Sequence, residues 1–338
     1  MSALAPHLEV FLREYLPRDR RASVHTSEAF AYAFQLLVRF AATRLHRQPS
    51  SLEIEQLDAP LILAFLEHIE TERHNLPQTR NARLVAIKAF FRFLEYRLPC
   101  CLDQARRISA IPVKKTDETV IDYLTRDEMQ SLLDVPDPRT AAGLRDRAMI
   151  HLAFAAGLRV SELVGLRQNE LTLHPQPSIH VLGKGRRERV LPLWKETTLA
   201  LRAWLAVRDP GTGPELFLNA RGEAMTRSGF EYILAKHLKI ATSKMPSLAK
   251  KRISPHSLRH SCAMSTLLAT HDVRKVSLWL GHASLKSTEI YLRADPTEKL
   301  EALMAVTPPA LRRGHFRAPD KLIAMLKTAK TTSRYAKR

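Results

Sequence analysis

The sequence predicts a mainly helical protein of two domains, with a β-hairpin in the second. The chain has 338 residues, a length that suits two domains that each bury a core. Glycine is scarce, at 11 residues, and apolar residues recur at spacings of three and four through much of the chain. Between residues 170 and 193 this helical period gives way to short β-like runs. These observations favour a mainly α fold with one small β element.

Four amphipathic segments organise the first domain, which is predicted over residues 1–108. In the last segment an apolar stripe that includes Leu84 and Leu94 leaves Arg80 and Arg83 on other faces. Those two arginines are candidate contacts for a polyanion, although basic helix faces are also common where no ligand binds. Pro99 is predicted to end this set of helices. The predicted helices span residues 8–16, 26–45, 60–73 and 79–98.

A polar, proline-containing segment separates the two domains. Residues 109–120 predict an interdomain linker. The second domain is predicted over residues 121–305, followed by a tail over residues 306–338. That tail holds nine basic residues and one acidic residue, and a short apolar stripe ends at Leu326. It is interpreted either as a flexible tail with one docking helix or as a basic tail without a specific role.

The second domain carries clear signals for helix and hairpin boundaries. A capping box of Thr125 and Glu128 predicts its first helix. The next helix is predicted over residues 144–156, and Gly157 suits the left-handed turn that ends it. Residues 183–185, Gly-Lys-Gly, form the predicted tip of the β-hairpin.

The charge of the chain points to a polyanion partner. Lys and Arg number 53 and Asp and Glu 34, which gives a net charge of +19. Nucleic acid is the leading candidate. A hydrophobic content of 45% excludes a disordered chain, and no long apolar run predicts a membrane span or a signal peptide. Three cysteines are too few for a disulfide framework, so a reduced, cytoplasmic protein is expected. Composition does not separate a DNA enzyme from a passive DNA or RNA binder.

The first segment with chemical potential follows Gly157. Arg159 is predicted to lie in a turn between two helices, with Ser161 capping the second helix. Glu162 could hold the guanidinium of Arg159 through a charge-assisted bond. An ordinary surface ion pair is the alternative interpretation.

The second segment is the hairpin tip, where Lys184 would project from the end of the sheet. A lysine there can give a proton to a leaving oxygen or contact a phosphate, and a solvated basic turn is the alternative. A basic stretch over residues 242–252 lies further along the chain. The candidate nucleic-acid contacts in these two regions are Arg186, Arg187, Lys250, Lys251 and Arg252.

The third segment predicts a helix that begins with Ser254 and Pro255. His256 and Arg259 would lie on one face of its first turns, close to the free amides that make a helix N-terminus a phosphate site. His256 and His260 also have a spacing that can bind zinc. That interpretation is weak, because no acidic general base lies between them and no third ligand is evident.

The fourth segment holds His282, which follows the helix-ending Gly281, and Tyr291, nine residues later. Ser287 or Thr288 could cap the short helix that carries the tyrosine. A lone tyrosine in such a place is most often part of the core.

Together these segments supply the groups needed to attack a phosphodiester without a metal. A tyrosine phenolate can act as the nucleophile. Two arginines can neutralise the charge on phosphorus oxygens, and a lysine and a histidine can move the protons. A covalent phosphotyrosine would store the energy of the broken bond.

In this arrangement the sequence resembles the tyrosine recombinase family, which includes phage integrases and Xer-type recombinases. The resemblance covers residues 5 to 300 approximately and is densest over residues 254–291. The family pattern of Arg, Lys, His-x-x-Arg, His or Trp, and Tyr falls on Arg159, Lys184, His256, Arg259, His282 and Tyr291.

The resemblance implies a helical, SAM-like core-binding domain and a mainly helical catalytic domain with a small three-stranded antiparallel sheet. It implies that Tyr291 is the nucleophile, that Glu162 supports Arg159, and that cleavage gives a 3′-phosphotyrosyl intermediate and a Holliday junction without any metal or other cofactor. The implied partners are a double-stranded DNA recombination site and three further copies of the chain, which form a homo-tetramer on two sites and exchange a C-terminal helix. A related recombinase or accessory proteins could also take part.

Two departures from compact Xer-type enzymes bear on the biological role. These are the basic stretch 242–252 and the 47 residues that follow Tyr291. They favour a role as the recombinase of a transposon or prophage over a role in the resolution of chromosome or plasmid dimers. A catalytically silent DNA-binding accessory protein and a type IB topoisomerase are the other hypotheses.

Overall fold

The computed structural model divides the chain into two compact units, residues 1–119 and residues 120–338. The predicted fold class is confirmed, because the chain is mainly helical with a three-stranded antiparallel sheet. The predicted tail 306–338 lies outside the described residues. The structure describes residues 2–117, 121–183, 187–209, 211, 213–282 and 284–294.

The first unit is a helical bundle built around stacked aromatic rings. Phe11, Phe34, Phe90 and Phe93 are fully buried, and the Phe11 and Phe90 rings meet edge to face with centroids 5.3 Å apart. Such pairs add stability beyond the area that they bury. The helices are α1 (Leu4–Val10), which continues as a wider π-helical turn over Phe11–Asp19, α2 (Val24–Leu45), α3 (Ala59–Thr71), α4 (Pro77–Glu95) and α5 (Leu102–Ser109).

Helix α5 corrects the expectation that Pro99 ends the helices of this unit. Pro99 instead opens a short 3₁₀ turn, Pro99–Cys101, that leads into α5. Proline is tolerated there because the first residues of a helical turn have no partner for their N–H groups. Ala105 and Ile108 of α5 are buried in the core of the unit.

The beginning of the predicted linker is bound to α4. Lys88 Nζ donates to the carbonyls of Ser109 and Ile111, each at 2.6 Å. Arg80 Nη1 donates to the carbonyl of Pro112 at 2.9 Å. Because these bonds satisfy carbonyls at and beyond the end of α5 that lack a partner within the helix, they fix the chain where it leaves α5. Residues 109–112 therefore belong to the first unit.

The second unit places its sheet beside a set of helices. Strands β1 and β2 pair antiparallel, as do β2 and β3, with Val181 opposite Arg189. The helices are α6 (Arg126–Leu133), α7 (Ala141–Ala155), α8 (Val160–Val164), α9 (Lys195–Val207), α10 (Arg227–Lys244), α11 (Pro255–Thr270), α12 (Val273–Leu280) and α13 (Glu289–Ala294), and the strands are β1 (Leu171–Thr172), β2 (Ser178–Leu182) and β3 (Glu188–Pro192). Within the described part of the chain, no helix has the length and hydrophobicity to cross a membrane.

Two predicted helix boundaries in this unit are confirmed. At the start of α6, the Thr125 N–H donates to Glu128 Oε2 at 2.8 Å and the Glu128 N–H donates to Thr125 Oγ1 at 3.3 Å. After α7, Gly157 adopts a left-handed conformation with a φ of 56°. A Cβ atom at Gly157 would lie 2.6 Å from Leu280 Cδ2, so the glycine also lets the end of α12 approach.

A buried charge network joins α7 to α10. Asp146 accepts a bond from Arg145 at 2.7 Å and lies 2.9 Å from His237 Nε2. Burial alone would raise the pKa of Asp146, but the bonds from His237 and Arg145 hold that pKa below its ordinary value. The carboxylate is therefore charged at neutral pH, inside the protein.

The network predicts a large cost for removing its acidic member. Asp146→Ala leaves Arg145 and His237 without their acceptor, which should lower the free energy of unfolding of the full chain by about 3–5 kcal/mol. The control is Glu231→Ala, because Glu231 forms an exposed pair with Arg227 and its loss should cost at most about 0.5 kcal/mol. Chemical denaturation measures both variants, and equal losses would contradict the assigned role of Asp146.

Candidate active site

Arg159 lies in the turn between α7 and α8, as the sequence predicts. It is the residue before α8, and Ser161 lies inside that helix rather than capping it. The cap comes from Glu162, whose Oε2 accepts the Arg159 N–H at 3.0 Å. The side chain of Arg159 is 28% exposed, so its guanidinium can be reached from solvent.

Glu162 binds two arginines at once. Its Oε1 accepts from Arg159 Nη1 at 2.7 Å, and its Oε2 accepts from Arg189 Nη2, also at 2.7 Å. Burial would raise the pKa of this carboxyl group, but the bonds from Arg189 and Arg159 hold the pKa below its ordinary value. The carboxylate therefore fixes both guanidinium groups.

Arg259 lies at the bottom of the site and is only 1% exposed. Its Nη1 donates to the carbonyl of Gly157 at 2.5 Å, and its Nη2 donates to the carbonyl of Leu280 at 2.7 Å. Burial and the charge of Arg159 lower the pKa of Arg259 to about 10, which leaves it protonated at neutral pH. His256, three residues earlier on α11, is exposed at the surface.

Tyr291 is buried, at 2% exposure, and its hydroxyl group is bonded to a histidine. Its Oη lies 3.1 Å from His260 Nδ1. The ring of His282 stacks on the tyrosine with centroids 6.4 Å apart and an interplanar angle of 7°. His282 Nδ1 in turn lies 2.8 Å from Thr288 Oγ1, so the Thr288 hydroxyl group bonds to the histidine.

The cleft keeps its tyrosine and histidines uncharged. Burial raises the pKa of Tyr291 to about 12, although Arg259 acts in the opposite direction. Burial and nearby positive charge lower the pKa of His260 and of His282 to about 4. Although one side of His256 faces solvent, its ring packs against His260, and this partial desolvation together with the charges of Arg259 and Arg159 lowers the pKa of His256 as well. At neutral pH the site thus presents positive guanidinium groups, neutral imidazoles and a protonated phenol.

The structure brings five of the six predicted catalytic residues close together in the second unit. The sixth, Lys184, lies outside the described residues, as does Arg186. The rings of His256 and His260 are 4.5 Å apart between centroids. Within the described residues, no third metal-ligating group joins them.

The predicted DNA contacts fall into exposed and internally bound groups. Arg187, Lys250 and Arg252 are exposed. Lys251 Nζ is bonded to Glu128 Oε2 at 2.6 Å, which gives it a structural role. In the first unit, Arg80 is 4% exposed and holds the carbonyl of Pro112, as described above. The Arg83 guanidinium lies over the Tyr32 ring, 4.8 Å from its centroid. DNA contact by any of these residues stays a prediction.

The sequence patterns above do not assign two residues of the site. They give His260 only a weak role as a zinc ligand and give Arg189 no role. The available signals are that His260 follows Arg259 directly on α11 and that Arg189 alternates with the buried Leu191 on β3.

Comparisons with known proteins identify the chain. A family model described as the phage integrase family matches residues 122–298, about half of the sequence. The chain belongs to the phage integrase family. The resemblance to tyrosine recombinases is thereby confirmed.

Full-length relatives support this membership. A candidate integrase/recombinase of Sinorhizobium fredii, y4rC, is 41% identical over 325 residues, which cover 96% of this chain and 98% of that protein. The tyrosine recombinase XerC of Pelotomaculum thermopropionicum is 32% identical, over 84% of this chain and 92% of its own.

Solved structures share the fold at lower identity. XerH recombinase in a post-cleavage complex with difH DNA aligns with a TM-score of 0.65 and 21% identity, covering 86% of this chain and 83% of its own. The Tn1549 transposon integrase in complex with transposon right-end DNA aligns with a TM-score of 0.66 and 17% identity, covering 88% and 98%.

The neutral histidines predict a loss of stability in acid. The pKa of His260 in the folded chain, about 4, lies below the value near 6.5 of an unfolded histidine. The unfolded state therefore binds more protons in this window, and the free energy of unfolding should fall as the pH drops from about 6.5 to 4. His260→Gln should make the free energy of unfolding fall less steeply as the pH drops. His25→Gln is the control, because the His25 side chain is 95% exposed and its replacement should leave the slope unchanged. Urea denaturation across this pH range measures the slopes, and identical slopes for wild type and His260→Gln would contradict the assignment.

Proposed function

We propose that this chain is a site-specific DNA recombinase that cuts and rejoins DNA through a covalent bond between Tyr291 and a 3′-phosphate. The observation that carries this proposal is the clustering of Tyr291 with His260, His282 and buried Arg259 in one unit. A phenol is a poor nucleophile until positive charge and a proton acceptor are placed beside it.

The chemistry follows from these groups. The Tyr291 oxygen attacks phosphorus, the bond from phosphorus to the 5′ oxygen breaks, and the free strand leaves with a 5′-hydroxyl group. Lys184 supplies the proton of that hydroxyl group, and a neutral histidine of the cleft accepts the phenol proton. Arg159, which is reachable from solvent, binds the phosphate oxygens, while buried Arg259 adds its positive charge from below. Rejoining is the reverse reaction with another 5′-hydroxyl group.

We propose that Tyr291 becomes more accessible before it attacks. At 2% exposure, with its hydroxyl group bonded to His260, it offers little surface to a phosphate. In this proposal the described arrangement corresponds to a resting state of the nucleophile. We therefore propose that engagement of DNA and release of Tyr291 are coupled.

The proposed partner is a duplex recombination site, bound by four copies of the chain on two sites with exchange of C-terminal helices. The solved relatives named above are complexes with difH DNA and with transposon-end DNA, which supports DNA as the ligand here. The exposed side chains of Arg187, Lys250 and Arg252 supply positive charge for that contact.

We propose further that the chain serves a mobile element rather than chromosome-dimer resolution. The identity to the candidate integrase/recombinase y4rC, 41%, exceeds the 32% to XerC of Pelotomaculum thermopropionicum. The basic stretch 242–252 points the same way.

Trapping the covalent intermediate tests the reaction. A duplex selected from a random pool by binding to the protein, and then nicked near the cleavage point, should accumulate a protein–DNA adduct that resists denaturation. Tyr291→Phe should abolish the adduct, because the attacking oxygen is gone. Tyr232→Phe is the matched control, since Tyr232 is 72% exposed on α10 and should leave the adduct yield unchanged.

Two results would overturn the assignment. An adduct formed by Tyr291→Phe would mean that another residue is the nucleophile. Specific binding by the wild-type chain without any adduct would instead support the hypothesis of a catalytically silent DNA-binding protein.

The biological role has its own test. In cells that carry the gene in its natural surroundings, wild-type protein should produce a circular junction that joins the two ends of the DNA segment around the gene. Tyr291→Phe should remove that junction, as measured by amplification across it. A wild-type chain that resolves dimers of a plasmid with its selected site, yet yields no such junction, would contradict the mobile-element role.

A further inference from the structure

Arg189 occupies an unusual position on β3. Along this strand Arg189 and Leu191 are directed inward, whereas Val190 is 64% exposed. A charged residue inside and a valine outside reverse the pattern that packing alone favours. Reversals of this kind are typical of positions that are kept for function.

The Arg189 side chain contacts three of the four segments that carry predicted catalytic residues. Its guanidinium binds Glu162, with Nη2 to Oε2 at 2.7 Å and Nη1 to Oε1 at 3.4 Å, and Glu162 in turn fixes Arg159. The same side chain packs against Gly183, the residue before Lys184, and against Gly281, the residue before His282.

Both glycines leave room for this arginine. A Cβ atom on Gly183 would lie 3.0 Å from Arg189 Nη1, and one on Gly281 would lie 3.1 Å from Arg189 Cδ. Gly281 also has a φ of 64°, which disfavours other residues there. The backbone of the hairpin and the backbone of the turn after α12 can therefore close on the two sides of one guanidinium group.

We propose that Arg189 is a positioning residue for the recombination reaction proposed above, which holds the Arg159 turn, the hairpin and the His282 turn in one arrangement. Its side chain is 9% exposed. Its buried Nε has no hydrogen-bond partner among the described residues, an unsatisfied group that packing alone does not favour. Its effect on the reaction passes through Glu162 and through the spacing of the two glycine turns.

Substitution of Arg189 tests the proposal by separating chemistry from binding. Arg189→Gln should lower the single-turnover rate of adduct formation on the nicked duplex by about 10²-fold, because small misplacements of catalytic groups have effects of this size. Its Kd for the uncleaved duplex should match that of Arg227→Gln, a control that removes one exposed charge from the same unit. Arg189→Lys should recover part of the rate, since a lysine keeps one charged bond to Glu162.

The rate of adduct formation as a function of pH distinguishes the proposed role from a purely structural one. A loss of hairpin packing alone would not shift the acid limb of that profile. Among the described residues, the charged groups that face the Glu162 carboxylate are Arg159 before α8, Arg189 on β3 and Arg259 on α11. Burial raises the pKa of Glu162, and Arg189 is one of the positive groups that lower it. Without Arg189 the pKa of Glu162 therefore rises. The carboxyl group is then protonated at a higher pH, and protonated Glu162 no longer holds Arg159. The rate for Arg189→Gln should therefore start to fall at a higher pH than the wild-type rate does.

A variant that carries both substitutions tests whether Arg189 acts on the reaction rate through Glu162. If Arg189 acts through Glu162, the losses for Arg189→Gln and Glu162→Gln should not add when both are combined. Additive losses, a wild-type rate for Arg189→Gln, or an unshifted acid limb would each overturn the proposal. Failure of the proposed function is recognised separately, because the wild-type chain would then form no adduct at all.

Discussion

The arrangement of the second unit depends on the two bonds that Arg259 makes to backbone carbonyls. They join Gly157, just after α7, to Leu280, the last residue of α12. Carbonyls at helix ends have no partner within their own helix, so an arginine between two such ends satisfies both. Since Arg159 and His282 each lie two residues beyond those carbonyls, the same contact determines how far apart these candidate catalytic groups are.

The electrostatics of the cleft follow from that construction. Positive charge is concentrated on guanidinium groups, of which Arg259 is fully enclosed, while the imidazoles of His260 and His282 stay neutral. In a poorly solvated site, fixed charges act more strongly on an incoming phosphate than they would in water. The carboxylate of Glu162 reduces the net positive charge of the site and fixes the orientation of the Arg159 and Arg189 guanidinium groups, because it binds both of them.

The sequence was a good guide wherever a local rule determined the structure. The turn at Gly157, the Thr125 capping box and the antiparallel pairing of β2 with β3 all follow from short-range backbone preferences. The sequence does not predict contacts that depend on packing between segments distant along the chain. His260 on α11 forms its contact with Tyr291 on α13, and Arg189 on β3 forms its contact with Glu162 on α8. Residue spacing along the chain does not predict either of these tertiary contacts. The internal bonds of Arg80 and Lys251 are also not evident from the sequence, because their acceptors, the carbonyl of Pro112 and the carboxylate of Glu128, lie far away along the chain.

The burial of basic side chains also determines how the chain responds to ionic strength. Arg80 and Arg259 are almost fully enclosed, and Lys251 is paired with Glu128. Counterions are released from a polyanion only where an accessible cation replaces them. For any polyanion that this chain binds, the dependence of affinity on salt concentration therefore reports the exposed lysines and arginines that contact it. The net charge of +19 does not by itself determine how steeply added salt weakens such a complex.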